Sequence, residues 1–430
     1  MTYSECVDYI LDIPKFTKKH SLDHTVRFLE YLGNPQEKLK VIHVAGTNGK
    51  GSVCVYLDAM LRAEGKRTGL FVSPHLVKMN ERIRLNGEQI SDQMFTEAFE
   101  ETLNAVKKMQ ENGEEHPTFF EFLFGMAMNA FQKTEMEYVV LETGLGGRLD
   151  ATSAVKNPIA CVITSIGLDH MEYLGDTVEK IAAEKAGIIC PEVPVLYAQC
   201  DPASDQVIEE TARKQNCFCK KIGKDAYEIL GIKDKHIAFS CSSAYYGTTT
   251  WKLNNIGVYQ PQNALLAMET MRKLFGESGH PQKWREALAE LKWEGRMEEI
   301  LPEIYVDGAH NVSAIQAFAA SVSKDTQENI ILFSAVKDKE YEEMIQYLCE
   351  HVKSEGYVVT LIDGSRATDA HLLGKLFEKY TDRPVVVIES VKEAFQYVLE
   401  HRRGRRVYCL GSLYLTGMIK EYCSEVREKH

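Results

Sequence analysis

Val41-Ile42-His43-Val44-Ala45 is an apolar run of strand length that leads into Gly46-Thr47-Asn48-Gly49-Lys50-Gly51-Ser52. From there Val53, Tyr56, Leu57, Met60 and Leu61 recur at helical spacing, and Gly65 stands where a C-terminal stop belongs. Thr68 to Pro74 then reads as a second strand, so the unit predicted is strand, glycine-rich loop, helix, parallel strand. Tyr138 to Glu142 and Ile159 to Ser165 are two further buried-type runs. Each later strand ends in a polar turn: Ser73-Pro74, Glu142-Thr143-Gly144, and Gly167-Leu168-Asp169-His170. In open parallel sheets ligands sit beyond the carboxyl ends of the strands, so these tips are expected to converge.

Between residues 200 and 260 the pattern weakens. Ala238 to Cys241 and Tyr245 to Gly247 suggest a small β excursion. Alternation resumes after Trp293-Glu294-Gly295-Arg296, with strands predicted at Ile304 to Val306, Ile330 to Phe333, Tyr357 to Ile362, Pro384 to Ile388 and Val407 to Leu410. The chain is thus expected to be α/β throughout: a parallel-sheet P-loop domain over 1–292, then a smaller α/β domain over 293–430. No repeat or low-complexity linker divides them.

The length of 430 residues suits two or three domains at roughly 150 residues each. A formal charge of -12 is the wrong sign for a broad basic face, so neither nucleic acid nor an anionic membrane is an expected partner. The start of the chain lacks a basic segment followed by an apolar core, and no run approaches 18 apolar residues. A cytoplasmic location is expected. Eleven scattered cysteines read as reduced, mostly buried thiols rather than a disulfide framework.

Exposed N–H groups at a strand-to-helix turn, a helix N-terminus and Lys50 together suit a nucleoside triphosphate, although the spacing departs from the common G-x-x-x-x-G-K-[ST]. Position 44 is Val, and Gly51 separates Lys50 from Ser52. Ser52, Ser73, Glu142 and His170 are oxygen and imidazole donors at or near the strand tips, a set that fits Mg²⁺, although each taken singly is more readily a cap, a turn or a solvated tip. Asp176 with Glu179 reads as a capping box, and on the following helix Val178, Ile181, Ala182 and Lys185 form one stripe. Spacing alone favours Lys185 as a snorkelling side chain; the alternative is a buried amine used in a site. Asp307-Gly308-Ala309-His310-Asn311 follows a strand and precedes a helix, and Arg296 near the domain junction suits a phosphate clamp. A surface ion pair for Arg296 and a structural role for His310 are equally open on spacing.

These segments, with Ser73 to Leu76, Asn80 to Ile83, Glu142 to Thr152, Thr164 to His170, Glu184 to Ile188, Gln260 to Ala264, Trp293 to Arg296, Asp307 to Asn311, Lys337 to Lys339 and Gly411 to Tyr414, closely resemble the folylpolyglutamate synthase and dihydrofolate synthase family of Mur ligases. The resemblance runs in order along nearly the whole chain. It implies a Mur ligase-like ATP-binding domain followed by a Rossmann-like glutamate ligase domain. It also implies ATP-dependent amide formation between a folate, or dihydropteroate, and L-glutamate through an acyl phosphate, in a protein expected to be monomeric. ATP and Mg²⁺, with two ions expected, are the implied cofactors.

By resemblance, Thr47, Asn48, Gly49, Lys50, Gly51 and Ser52 hold phosphates, Asn263 meets adenine, and Arg296, Asp307 and His310 contact ATP from the second domain. Lys50, Lys185 and His170 are the implied catalytic groups, with Lys185 carbamylated. Phe120, Glu121, Leu149, Asp150 and Ala151 resemble a pterin pocket. Four features depart from the family pattern: Ser153, Tyr259, Glu294 and the Thr17 to His24 loop. None touches the phosphate or metal set. The loop and the segment after Asp150 bear instead on which pterin is preferred. The alternatives are a ligase of a peptidoglycan precursor, a plain P-loop ATPase or kinase, and a nucleotide-binding scaffold.

Overall fold

The computed structural model describes residues 1–14, 21–233, 235–241, 243, 245–247, 249–323 and 327–428; of the Thr17 to His24 loop, Thr17 to His20 lie outside the described residues, and Leu22 to His24 open a helix. Strands β1 (Lys40–Ala45), β2 (Thr68–Phe71), β3 (Ile83–Leu85), β4 (Glu88–Gln89), β5 (Tyr138–Glu142), β6 (Ala160–Ile163), β7 (Val195–Ala198) and β8 (Cys219–Ile222) form one sheet. Its order is β4-β3-β2-β5-β1-β6-β7-β8. From β2 to β8 all neighbours are parallel, while β3 and β4 add an antiparallel edge. The central place of β1 is what makes the fold serve a site. The loop after β1 lies between those after β5 and β6, so the predicted tips do converge.

Period-two alternation splits the strands between two cores. Val41, Val139 and Leu141 face the layer containing helices Tyr3–Asp12, Leu22–Tyr31, Asp92–Glu111 and Phe119–Lys133. Ile42, Val44 and Val140 face the helices Lys50–Ala63, Gln260–Phe275 and Pro281–Glu290. Helix Lys50–Ala63 is buried at every position from Ser52 to Leu61, more than one apolar stripe predicts, because the sheet and two helices enclose it. Its one acid, Asp58, is accommodated by Arg62 and the Thr68 hydroxyl. Gly65 takes a left-handed φ of 74° just past the helix end, as predicted.

The weakly patterned region holds helix Pro202–Lys214, β8 and a separate antiparallel sheet of β9 (Tyr227–Lys233), β10 (His236–Cys241) and β11 (Trp251–Leu253). Tyr245 to Gly247 is a turn rather than a strand, which corrects the reading of that segment. A second sheet follows, built of β12 (Glu298–Leu301), β13 (Ile304–Val306), β14 (Asn329–Phe333), β15 (Gly356–Leu361), β16 (Val385–Ser390) and β17 (Arg406–Leu410), in the order β12-β13-β17-β14-β15-β16. All its pairs are parallel except β12 with β13. Two further expectations need correction. The helix Val178–Ala186 is capped by Thr177, whose side chain accepts from Lys180 N, so Asp176 and Glu179 form no capping box; Asp176 pairs with Lys180 instead. The cysteines are free, but five are buried and six only partly so.

Candidate active site

The carboxyl ends of the two sheets face each other across a cleft of about 740 Å³. Gly46 to Ser52 form its floor. Gly46 is required by close approach, since a Cβ there would lie 1.7 Å from Thr164 Oγ1. Gly49, at φ 87°, begins the helix, and its Cβ would meet Asn263 Oδ1 at 2.5 Å. The helix N-terminus therefore opens into the cleft with its first N–H groups unpaired by side-chain caps.

Two lysines converge on one carbonyl. Lys50 Nζ donates to Gly46 O at 3.0 Å and Thr47 O at 3.1 Å, while Lys185 Nζ donates to Gly46 O at 2.7 Å. Lys185 is only 4% exposed, which overturns the snorkelling reading: its amine ends on the Gly46 carbonyl of the glycine-rich loop rather than in water. Burial first, and the neighbouring Lys50 second, lower its pKa to about 7. Much of the amine is then uncharged near neutrality.

Glu142, buried at the end of β5, accepts from Ser73 N at 3.0 Å. Burial raises its pKa against the opposing pull of Lys50, Ser73 N, Arg296 and Arg82. Burial likewise lowers the pKa of His170 to about 4, leaving a neutral imidazole at physiological pH. Ser52, Ser73, Glu142 and His170 all line the cleft. Among the described residues no three His, Cys, Asp or Glu side chains form a metal-holding group by themselves. A buried carboxylate, two hydroxyls and a neutral imidazole fit a hard cation that takes few protein ligands and completes its shell with phosphate and water.

The second domain supplies the opposite wall. Asp307, at the end of β13, accepts from Met297 N, Ala309 N and the Tyr259 hydroxyl, and burial raises its pKa despite the nearby Arg296. His310 is also held neutral by burial, with a pKa of about 4, and its Nδ1 lies 2.7 Å from Gly308 O. Arg296 and Asn263 complete the cleft-lining residues named from the sequence.

Sequence reasoning gave no role to the polar network that ties the walls together. Asn48 and Asn311 exchange amide hydrogen bonds at 3.1 Å in both directions, and Asn48 also donates to Ser313 Oγ at 2.9 Å. Asn311 donates to Asp169 Oδ2 at 3.0 Å, and the buried Lys339 ammonium contacts both Asp169 Oδ1 and His170 Nε2. Burial opposes the Asp169 charge, yet Lys339, His170 and His310 outweigh it and hold the carboxyl below its usual range. Asp169 and Lys339 each stand in a segment of the family resemblance, but nothing in their local spacing pairs residues 170 apart.

The pterin set sits elsewhere. Phe120, Glu121, Leu149, Asp150 and Ala151 do not line this cleft, which reaches only Gly144 to Gly146 of the glycine-rich loop after β5. A Cβ on Gly144 would lie 2.7 Å from the Phe120 ring, which places Phe120 beneath that loop. The Glu121 carboxylate accepts from the Thr25 hydroxyl and caps its own helix through Thr118 N. Asp150 accepts from Leu145 N, Thr152 N and the Thr152 hydroxyl, so it shapes the loop from within. Leu149 is exposed and Ala151 buried.

The family model described as Mur ligase middle domain matches residues 44–271, and that described as Mur ligase, glutamate ligase domain matches residues 295–413. The chain is similar to a dihydrofolate synthase/folylpolyglutamate synthase of Bacillus subtilis, with 32% identity over 97% of this chain and 98% of the relative. A solved folylpolyglutamate synthase of Thermotoga maritima superimposes with a TM-score of 0.83 at 30% identity, covering 98% of this chain and 96% of that one. The Mycobacterium tuberculosis folylpolyglutamate synthase, solved in complexes with ADP and AMPPCP, gives a TM-score of 0.87 at 26% identity, with 98% of both chains covered. With both domain models matched in order and a relative of this identity aligned almost end to end, the chain belongs to the folylpolyglutamate synthase/dihydrofolate synthase family of Mur ligases.

Proposed function

We propose that the chain is an ATP-dependent ligase that joins L-glutamate to a folate through an acyl phosphate. The observation that carries this reading is the cleft in which Lys50, Glu142 and Lys185 of one domain face Asp307, His310 and Arg296 of the other. Relatives named folylpolyglutamate synthase or dihydrofolate synthase support the folate branch over a peptidoglycan precursor.

A carboxylate oxygen of the folate attacks the γ-phosphorus, the bond to the bridging oxygen breaks, and ADP leaves. The glutamate nitrogen then attacks the acyl carbon, loses a proton, and phosphate departs with the carbon–oxygen electron pair. Thr47 to Ser52 hold the phosphates with backbone N–H groups and the Lys50 charge. Asn263 takes the adenine, while Arg296, Asp307 and His310 fix the nucleotide from the second domain. Ser52, Ser73, Glu142 and His170 would hold Mg²⁺, of which two ions are expected; when bound, it neutralises charge on the transferring phosphoryl group.

Lys185 carries the amine we expect to be carbamylated: its neutral nitrogen bonds to the carbon of CO₂ and releases a proton, which replaces an awkward buried cation by an anion suited to a cation's neighbourhood. Phe120, Glu121, Leu149, Asp150 and Ala151 are the proposed pterin side. The units are 1–292 and 293–430, and a monomer is the expected assembly.

The test is to incubate the purified chain with ATP, Mg²⁺ and L-glutamate plus either tetrahydrofolate or dihydropteroate, reading product masses beside phosphate release. Phosphate released only when acceptor and glutamate are both present, with a product one glutamate heavier, is the expected result. Release without glutamate, or a stable phosphorylated product, overturns the ligase reading. The dihydropteroate arm decides whether the chain is bifunctional.

A further inference from the structure

Gln260 is 1% exposed and opens the helix Gln260–Phe275, yet its side-chain amide is spent on the nucleotide side of the cleft. Its Nε2 donates to Ser52 Oγ at 3.2 Å. Its Oε1 accepts from the Tyr56 hydroxyl and from Asn263 Nδ2, both at 3.1 Å. Ser52 and Tyr56 lie one turn apart on the helix that begins at Lys50, so the amide bridges them from the facing helix.

The Asn263 N–H decides which way round that amide sits. Tyr56 is buried, which raises its pKa and keeps the hydroxyl protonated at any working pH. A hydroxyl can donate or accept and so is compatible with either end of the amide, but the Asn263 Nδ2 group can only donate and requires the amide oxygen, which Tyr56 then shares. Nε2 is therefore left for Ser52. Because Ser52 Oγ receives this N–H, one lone pair is occupied from behind and the rest of the hydroxyl is turned toward the cleft it lines. Asn263, with one N–H committed to Gln260, keeps its Oδ1 against Gly49.

We infer that Gln260 is a positioning residue that sets the Ser52 hydroxyl and the Asn263 amide together, thereby coupling the phosphate end and the base end of one bound nucleotide, with Tyr56 anchoring its Oε1 from behind. The inference rests on the nucleotide-site reading of the cleft. It gives Gln260 no contact with the reacting atoms. Its effect passes through the two residues it holds.

The experiment is titration calorimetry on the full chain with ADP and IDP, each with and without Mg²⁺. The unaltered chain is expected to bind ADP in preference to IDP and to bind ADP more tightly with Mg²⁺. Gln260→Met, which keeps length and removes both polar atoms, is expected to weaken ADP about tenfold, the order of one or two lost hydrogen bonds. It should also collapse the ADP-to-IDP ratio and shrink the Mg²⁺ enhancement. Tyr56→Phe, which deletes one oxygen outside the site, should move all three the same way by about threefold.

A folded Gln260→Met that keeps wild-type ADP affinity and base preference overturns the inference. So does an equal loss for ADP and IDP, which is what structural damage alone produces. Should Gln260→Met fail to fold, Tyr56→Phe decides: an unchanged ratio and Mg²⁺ response refute the coupling. Absence of ADP binding to the unaltered chain removes the nucleotide-site reading as well, a result distinct from all the others.

Discussion

Replacing Lys185 by Met keeps an unbranched side chain one atom shorter, removes its charge and so tests the cost of burying an amine beside Lys50. Burial and that neighbour lower the Lys185 pKa from 10.5 to about 7. At about 1.4 kcal/mol per unit, folding with this lysine costs about 4 kcal/mol at pH 7 and about 2 kcal/mol at pH 9. The sign follows from proton counting. Between pH 7 and 10.5 the unfolded chain binds the proton that the folded chain has released, so wild-type stability rises with pH across that window. Below pH 7 the penalty is complete. The hydrogen bond to Gly46 O returns about 1 kcal/mol, so Lys185→Met should exceed wild type by about 3 kcal/mol at pH 7 and about 1 kcal/mol at pH 9.

The assay is urea unfolding in CO₂-depleted buffer followed by tryptophan fluorescence. Trp251, Trp284 and Trp293 are the chain's three tryptophans, so the signal reports on the part before the second sheet. The same variant should lose ligation, since it can carry no carbamate. A stability difference that does not change between pH 7 and pH 9, or a Met variant less stable at both, refutes the depressed pKa.

Lys50→Ala and Glu142→Ala should each reduce turnover by at least about a hundredfold, because each removes charge aimed at the transferring phosphoryl group or its metal, while thermal melts show the fold retained. Gly46→Ala forces a Cβ to within 1.7 Å of Thr164 Oγ1, so a loss of about 2 kcal/mol and weakened ADP binding are expected in denaturant and calorimetric titrations. Asp169→Asn leaves Lys339 buried opposite a neutral amide and should cost about 3 kcal/mol. Adding Lys339→Met should recover part of that loss in the same melt, since removing the stranded charge is cheaper than keeping it.

The strands that could be read from the sequence share a physical cause. β1, β5 and β14 are apolar runs bounded by turns, and burial on both faces leaves them no polar alternation to confuse. Short or polar edge strands gave no such signal: β4 is Glu88-Gln89, β8 contains Lys220-Lys221, and β12 contains Glu298-Glu299. In β9, Ile229, Leu230 and Ile232 are exposed, so the periodicity expected of a half-buried strand is absent. The glycine-rich loop was legible because its chemistry is local, a turn with a lysine between strand and helix. Lys185 was not, because whether its stripe meets water or Gly46 depends on residues 139 positions away. The Asn48–Asn311 pair and the Gln260 bridge are likewise long-range, and no window of sequence contains both ends.

The central claim is that the folate carboxylate itself takes the γ-phosphoryl group before the amine arrives. Folate labelled with ¹⁸O in that carboxylate, turned over with ATP, Mg²⁺ and L-glutamate, tests it directly through the mass of the inorganic phosphate released. An acyl phosphate predicts one ¹⁸O in each phosphate for each amide formed, since the oxygen that attacked phosphorus leaves with it. Phosphate free of ¹⁸O, alongside amide product, would show that ATP is cleaved by water and would contradict the account.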